Sequence, residues 1–380
     1  MRALLAGFCG EFKRILGDEG ARTTMIAAVL IYAVFYPQPY LKEAVRKVPV
    51  VVVDQDHSTA SRELIRRIDA SDGAAVIAAA QDLSTARSHI LAGRAFAIIV
   101  IPTDFERDIL AGRPSPIAAY GDAGYFLVYR AAVGAISTAA RSAGAEIAIH
   151  RLSIQQGVDS ATARAIVDPM PVTIVPLFNP QGGYATYVVP TAFVLILQQT
   201  LLMGIGILGP ARPQTAGRQT LGGLATGMLA RVLAFVTLYI PFAVLYLVIM
   251  PHLYHLPRLG AVGDLLMVMA LFLFAVSCLG LTLAALMPSG ESVILMLVVL
   301  GLPLFFLSGV SWPSESMPKL LSMLAQCIPA IPAMNATVRI GQMGASLADV
   351  SPELRTLAID AGAYALAALI CQSVRDTIEP

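Results

Sequence analysis

Residues 264–287 read DLLMVMALFLFAVSCLGLTLAALM. After Asp264 no charge interrupts the run, and its 24 residues extend about 36 Å as a helix, beyond the roughly 30 Å hydrocarbon core of a bilayer. Such a stretch reads as a membrane-spanning helix, and it sets the class of the chain. Four more apolar runs lie at 184–208, 228–250, 292–310 and 356–374, the last two being the shortest. A sixth covers residues 23–36, only 14 residues, or about 21 Å. Continued through Pro37-Gln38-Pro39-Tyr40-Leu41 it completes a crossing, with Tyr32, Tyr36 and Tyr40 fitting an interfacial belt. The first transmembrane helix is therefore expected over 20–41.

Composition agrees. The 380 residues are 57% hydrophobic and 13% charged, against about 25% charged in ordinary soluble domains. This argues against a soluble enzyme, a disordered chain and a nucleic-acid binder. With 26 basic and 25 acidic residues the net charge is +1, so no global field recruits polyanions. The charges are unevenly placed. Residues 42–183 hold 14 basic and 14 acidic side chains in 142 positions, whereas the other 238 positions hold 23. A water-soluble module is thus inserted after the first crossing. None of Cys9, Cys278, Cys327 and Cys371 lies in it, and no C-x-x-C occurs, so neither a disulfide framework nor a cysteine zinc site is expected.

Within the module, strand patterns at 48–53, 74–80, 96–101 and 116–120 alternate with helical ones at 61–70, 83–92 and up to 111. This predicts a small α/β sheet. A long alanine-rich helix over 124–156, a short one over 160–167 and an extended 172–177 lead back to the membrane. At the other end, Leu4, Leu5, Phe8, Cys9, Phe12, Ile15 and Leu16 recur at helical spacing, with Glu11, Lys13, Arg14 and Asp18 on the other face. Residues 1–19 read as an amphipathic helix lying on the membrane surface. No cleavable signal peptide is expected, because charges precede the apolar run and no small-x-small site follows.

The fold class that results is an α-helical membrane protein of six transmembrane helices, with an α/β domain, 42–183, inserted between helices 1 and 2. Six crossings put both termini on one side. Arg2, Lys13, Arg14, Arg22, Arg212, Arg218 and Arg375 fall on that side, against Arg258, Lys319, Arg339 and Arg355 on the other. The excess favours cytoplasmic termini and an extracytoplasmic α/β domain. Residues 184–380 carry helices 2–6. Between the last two lies 311–355, broken by Pro313, Pro318, Pro329, Pro332 and Pro352. It reads as short helices dipping into the outer leaflet, allowed where protein or water satisfies the backbone.

Chemistry-bearing motifs are few. A P-loop needs Gly-Lys, and Lys13, Lys42, Lys47 and Lys319 follow Phe12, Leu41, Arg46 and Pro318, so nucleotide hydrolysis by that route is excluded. G-x-S-x-G and H-E-x-x-H are also missing. His252-x-x-His255 reads as a pair of polar loop residues rather than a metal site. Asp54-x-Asp56-His57 reads as a strand-end turn with Asx-type hydrogen bonds rather than a metal cluster. No metal is expected on the chain. Gln198, Gln199 and Thr200 lie near the middle of the second span. Polar groups there either line a substrate path or bond helix to helix, and the sequence leaves both open. Asp264, Glu291 and Asp360 read as interfacial charges near span ends. Gly204 and Gly206 read as close-packing positions.

The layout resembles the ABC type-2 transporter permeases, specifically the branch of bacterial multidrug-type export permeases with a large periplasmic domain after the first span. The matching stretches are Val48-Pro-Val-Val-Val-Val-Asp-Gln-Asp-His-Ser, Ile101-Pro-Thr-Asp-Phe-Glu-Arg, Phe178-Asn-Pro-Gln, and Leu307-Ser-Gly-Val-Ser-Trp-Pro-Ser-Glu-Ser-Met-Pro. Ile328-Pro, with 341–350 after it, resembles the family's tail before the last span. The order of these elements over nearly the whole chain carries the resemblance.

The resemblance implies a permease subunit of an ATP-driven exporter in the bacterial inner membrane, with an outward-moving hydrophobic or amphipathic substrate. It implies two permease subunits, as homo- or heterodimer, two cytoplasmic ATP-binding subunits and surrounding lipid. A periplasmic adaptor is a further partner it allows. ATP would sit on the partner, with no cofactor on this chain. Residues 1–19 would be the connecting helix. The loop 209–227, with Arg212 and Arg218, would couple to the ATPase, and 287–291, with Glu291, would form a second contact. The region 311–355, led by Ser308, Gly309, Pro313 and Pro318, would cap the outer mouth. Gln198, Gln199 and Thr200 would be the candidate substrate path. Three readings compete: a membrane-anchored sensor with the α/β domain as receptor, a membrane enzyme using outer-face residues, and a proton-coupled exporter. The sensor needs an output domain, the enzyme a dense His/Asp/Glu cluster, and the proton-coupled exporter a mid-span carboxylate.

Overall fold

The computed structural model describes residues 2–40, 44–180, 182–210, 220–309, 312 and 316–378. They form two compact units, one of Met1–Glu43 with Pro176–Pro380 and one of Ala44–Val175.

The chain opens with α1 (Arg2–Gly17), α2 (Glu19–Arg22), a π-helical turn at Thr23–Ala27 and α3 (Ala28–Phe35). Asp18 caps α2 by accepting from the Ala21 amide at 2.8 Å. From that cap the helix runs Glu19–Tyr40, 22 residues, or about 33 Å. The span that looks short by hydropathy is long enough to cross, because both the charged turn Glu19–Arg22 and the continuation through residues 37–40 belong to it.

The Ala44–Val175 unit contains, in chain order, β1 (Val48–Asp54), α4 (Thr59–Ala70), β2 (Ala74–Ala79), α5 (Leu83–Leu91), β3 (Ala97–Ile101), α6 (Phe105–Leu110), β4 (Ala118–Gly121), α7 (Phe126–Gln156) and α8 (Ser160–Val167). The sheet order is β2-β1-β3-β4. The first three strands are parallel, β1 lying between β2 and β3, while β4 runs antiparallel to β3. Central β1 explains its unbroken valines: a strand covered on both faces needs no polar alternation. Val48, Val50 and Val52 pack with Leu64, Ile68, Phe105, Ala132 and Ile136. Val51 and Val53 pack with Ala86, Ala95 and Ile98 on the other face. Helix starts follow their capping side chains: Ser58 accepts from Ser61 N, Asp82 from Thr85 N, and Asp159 from Ala161 N and Thr162 N. Residues 172–177 belong to no helix or strand.

The rest of the larger unit comprises α9 (Ala185–Leu208), α10 (Leu221–Val244), a π-helical turn at Leu245–Ile249, α11 (Met250–Leu253), α12 (Val262–Leu286), α13 (Gly290–Leu307), α14 (Lys319–Gln326), α15 (Ala330–Met343) and α16 (Ser351–Ile378). Among the described residues six helices are long and apolar enough to cross a membrane: Glu19–Tyr40, Ala185–Leu208, Leu221–Leu253, Val262–Leu286, Gly290–Leu307 and Ser351–Arg375. The second and fourth are 72% and 67% buried and form the centre, whereas the fifth is 17% buried and faces outward. Small residues let the central helices meet. A Cβ on Gly204 would collide with Met25 Cγ, and one on Gly206 would lie 2.7 Å from Val293 Cγ1. These two glycines are close-packing positions, as expected. The proline-broken region forms α14 and α15, bent by 87°. Two boundaries differ from the sequence reading. Residues 221–227 are the first turns of α10, capped by Thr220, and not loop. The last helix starts at Ser351, five residues before the apolar run.

Candidate functional site

The C-terminal end of α9 gathers three charged side chains. Helix α9 ends at Gly209, whose φ of +68° terminates it. The last carbonyls of a helix lack intrahelical donors and carry its negative dipole end. Arg14 of α1 donates to Leu208 O and also reaches Gly209 O and Pro210 O at 3.3 and 3.5 Å. Arg231 of α10 donates to Gly209 O at 3.2 Å. Between the two guanidiniums lies Glu11, with Oε2 at 3.3 Å from Arg231 Nε and Oε1 at 3.6 Å from Arg14 Nη1. The Glu11 and Arg231 side chains are each only 6% exposed. Close approach of the helices makes this possible: a Cβ on Gly7 would sit 2.9 Å from Ala230 Cβ. Glu11 Oε1 and Arg231 Nε and Nη1 complete no hydrogen bond, so charge pairing and the α9 carbonyls hold the cluster.

This overturns part of the surface-helix reading. Glu11 does not face away from the protein with Lys13; it points inward beside Ile15. Leu5 and Leu16, by contrast, are 54% and 50% exposed. Arg231 belongs to no sequence motif, yet it is the one charged residue between 221 and 253. A lone arginine in so long an apolar run signals a buried partner.

The same end of α9 meets two more elements. A Cβ on Gly290 would lie 2.5 Å from Gly206 O, and one on Gly20 3.2 Å from Ile207 Cγ2. Glu291, in the first turn of α13, is exposed there. Thus α1, α2, α10 and α13 converge on the base of α9. Arg212 and Arg218 lie outside the described residues, as does Pro313.

Farther along α9 the polar trio divides. Gln198 is 1% exposed, and its Oε1 accepts from Ala330 N at 2.9 Å. It thereby satisfies a first-turn amide of α15. The Thr200 hydroxyl donates to Ile196 O at 2.7 Å and accepts from the Tyr239 hydroxyl at 3.2 Å. Gln199 is different. Both its amide atoms are shielded and unpartnered, and its Nε2 would be 3.8 Å from a Cβ on Gly301 of α13. Ser308 is buried and donates to Phe305 O at 2.6 Å. Gly309, with φ +83°, follows the end of α13, and exposed Pro318 precedes α14.

Asp360 is a second correction. It is 8% exposed with Oδ2 unpartnered, on the face of α16 that also buries Leu357, Ala361 and Ala368. As the tenth residue of α16 it lies about 14 Å from the helix start. One turn on, the Tyr364 carbonyl accepts from Thr282 of α12 at 3.1 Å. The interfacial reading is corrected in the burial of Asp360, which is the fifth residue of the apolar run 356–374 and the tenth of the longer helix.

In the smaller unit, Asp54 Oδ1 accepts from the amides of Asp56 and His57 at 3.1 and 3.0 Å, and Oδ2 from the Ser61 hydroxyl at 2.8 Å. Asp56 Oδ2 accepts from Glu106 N at 3.0 Å. This is the Asx-type turn the sequence suggests. Among the described residues no cluster of metal-ligating side chains occurs. Replacing Asp54 by Ala should destabilise the unit by about 1–3 kcal/mol through the orphaned donors. Faster hydrogen exchange of the β1–α4 amides is the expected readout, and unchanged protection would count against a structural carboxylate.

A cavity of about 720 Å³ opens between α4, α6, the segment after α6 and α7. At its edge Arg67 pairs with Glu146 at 2.7 Å and Glu63 at 3.0 Å. Hydrogen bonds from Arg67 to Glu146 and then Glu63 raise the Arg67 pKa, which fixes its charge in the pair.

Comparison with known proteins gives one family and two relatives. The family model described as ABC-2 family transporter protein matches residues 22–370. The inner membrane transport permease YhhJ of Escherichia coli (strain K12) is 24% identical over 374 residues, covering 95% of this chain and 94% of that protein. The YhhJ of Shigella flexneri matches with the same figures.

Proposed function

The chain belongs to the ABC-2 family of transporter proteins, and on that premise we propose that it is the permease subunit of an ATP-driven exporter in the bacterial inner membrane. The observation that carries this reading is the family match from residue 22 to 370, on a chain whose described residues include six helices of spanning length. The chain transports and does not itself hydrolyse nucleotide. ATP binds a separate subunit, because no Gly-Lys exists from which to build a P-loop.

The base of α9 is the coupling end in this reading. Residues Arg212, Arg218 and Glu291 contact the ATP-binding subunits, and closure of the ATPase pair pushes on α1 and the loop between α9 and α10. The Glu11–Arg14–Arg231 cluster ties that loop's first residues to α1 and α10, so a push on one moves all. Both termini are cytoplasmic and the Ala44–Val175 unit is extracytoplasmic. Gln199, whose amide is unspent, faces a hydrophobic or amphipathic substrate, and Ser308, Gly309, Pro313 and Pro318 border the outer gate. A second permease subunit completes the pathway. The exposed Leu295, Val298, Val299, Leu302 and Phe306 of α13 meet that subunit or lipid. The Ala44–Val175 unit is the surface available to a periplasmic adaptor.

Affinity purification from mildly solubilised membranes tests this. Expected is recovery of a partner chain with G-x-x-x-x-G-K-[ST] and vanadate-sensitive ATPase activity, both lost when residues 211–219 are deleted while the chain still inserts. A chain that purifies alone, with no ATPase activity, overturns the reading.

Asp360 supports one alternative, a proton-coupled exporter, since an unpartnered carboxylate inside a span is what that mechanism requires. Export that survives ATP depletion, fails when the proton gradient is collapsed, and is abolished by Asp360→Asn would select it.

A further inference from the structure

The cavity in the Ala44–Val175 unit has the dimensions and lining of a ligand site. Its roughly 720 Å³ falls within the range of about 300–1,000 Å³ typical of small-molecule pockets. The interior is apolar, formed by Leu64, Phe105, Ile109, Ile117, Ala143 and Ile147. Glu63, Arg67, Glu106, Arg113, Glu146 and Arg151 supply its charges.

Five of those six side chains already have a hydrogen-bond or ion-pair partner in the protein. Arg67 holds Glu63 and Glu146. Arg113 pairs with Asp108 at 2.6 Å. Glu106 Oε1 accepts from Ala60 N at 3.1 Å. Arg151 is the exception: it is half-buried, with no hydrogen bond or ion pair among the described residues. Its guanidinium lies over Gly112, where a Cβ would come within 2.5 Å of Nη1. With φ +76°, Gly112 leaves a bare backbone against which the arginine rests. Arg151 therefore offers unspent cationic donors at one side of an apolar chamber, while Glu106 on the same wall keeps a charge that only a backbone amide meets. A guanidinium with free donors recognises planar or tetrahedral oxyanions, often through two parallel bonds.

We propose that this cavity binds a single-tailed amphipathic anion, its apolar tail among Leu64, Phe105, Ile109 and Ile147 and its oxyanion head on Arg151. The site stands on the Ala44–Val175 unit and is independent of the transport reading, since neither an ATPase partner nor the spans contribute to it.

The test uses the full chain in nanodiscs of zwitterionic lipid, with empty nanodiscs subtracted. Decanoate, decyl phosphate, decanol and decyltrimethylammonium are titrated calorimetrically, and a diazirine-bearing decanoate is cross-linked and mapped by mass spectrometry. Both oxyanions should bind saturably, the cation should not, and labels should fall on α4, α6 or α7. Preference for decanoate over decyl phosphate, or the reverse, identifies the head group. Arg151→Gln should weaken the anions at least tenfold while changing decanol little, and Arg151→Lys should keep the preference for anions. Ala143→Trp should fill the chamber and abolish binding of all tails. Each variant's elution profile and circular dichroism report its fold. Equal binding of the cation, labels confined to the spans, or unchanged affinity in a folded Ala143→Trp chain overturns the proposal.

Discussion

Arg231→Met, with Glu11 left in place, is expected to cost the larger unit roughly 3–5 kcal/mol, because it strands a buried carboxylate without its countercharge. Among the described residues Glu11 pairs only with Arg231 and Arg14, and the Arg14 contact is the longer, 3.6 Å against 3.3 Å. Gly209 O would also lose its donor from Arg231. Glu11→Leu alone should cost less, since both arginines keep carbonyls of the α9 terminus. The double variant Glu11→Leu/Arg231→Met should recover much of the single loss, because replacing a whole buried pair by apolar side chains is often close to neutral. The loss of heat-resistant monodisperse protein on gel filtration measures all three. The double variant separates structure from function: it should restore the melting midpoint and still fail to raise partner ATPase activity with substrate, if the cluster transmits motion between α1 and the α9–α10 loop. A single Arg231→Met variant as heat-resistant as the parent would remove the cluster from both roles.

How much of this was readable beforehand depends on how far each feature reaches along the chain. Strands β1–β4 and helices α4–α8 follow local alternation, and their ends fall within about two residues of the sequence reading because caps such as Ser58, Asp82 and Asp159 mark them. Spans read by hydropathy alone lost their polar ends. Glu19 and Arg22 extend the first helix, and Ser351–Arg355 extend the last, yet each carries charges that a hydropathy window rejects. Asp360 lies four residues into the apolar run, and only the packing of α16 shows that its side chain is buried. The site was less readable, since its contacts join distant residues. Glu11 at spacing 4, 8, 11, 15 with Leu4, Phe8 and Ile15 sits on the packed stripe, and the lone Arg231 announces a partner. Neither observation says which residue completes the pair until α1 and α10 are brought together. Gln198 and Gln199 are adjacent and chemically identical, so only the fold tells them apart.

That pair gives the second large effect. Gln198→Leu should destabilise the protein by about 1–3 kcal/mol, since Ala330 N would be a buried donor with no acceptor. Pro329 precedes Ala330 and supplies no amide of its own, so the start of α15 leans on this one side chain for its first donor. Gln199→Leu should be neutral or stabilising by about 1 kcal/mol, because a shielded amide that bonds nothing is costly to bury. Transport should rank the two variants in the opposite order. If Gln199 faces the substrate, Gln199→Leu lowers the export rate of polar-headed substrates while the melting midpoint holds. Gln198→Leu, assayed well below its lowered midpoint, should retain most of its export. Melting midpoints and export from inverted vesicles, measured on both variants, decide it. A stable Gln198→Leu chain would mean the α15 amide finds another acceptor, and unaltered export in Gln199→Leu would assign its unspent amide to helix packing alone.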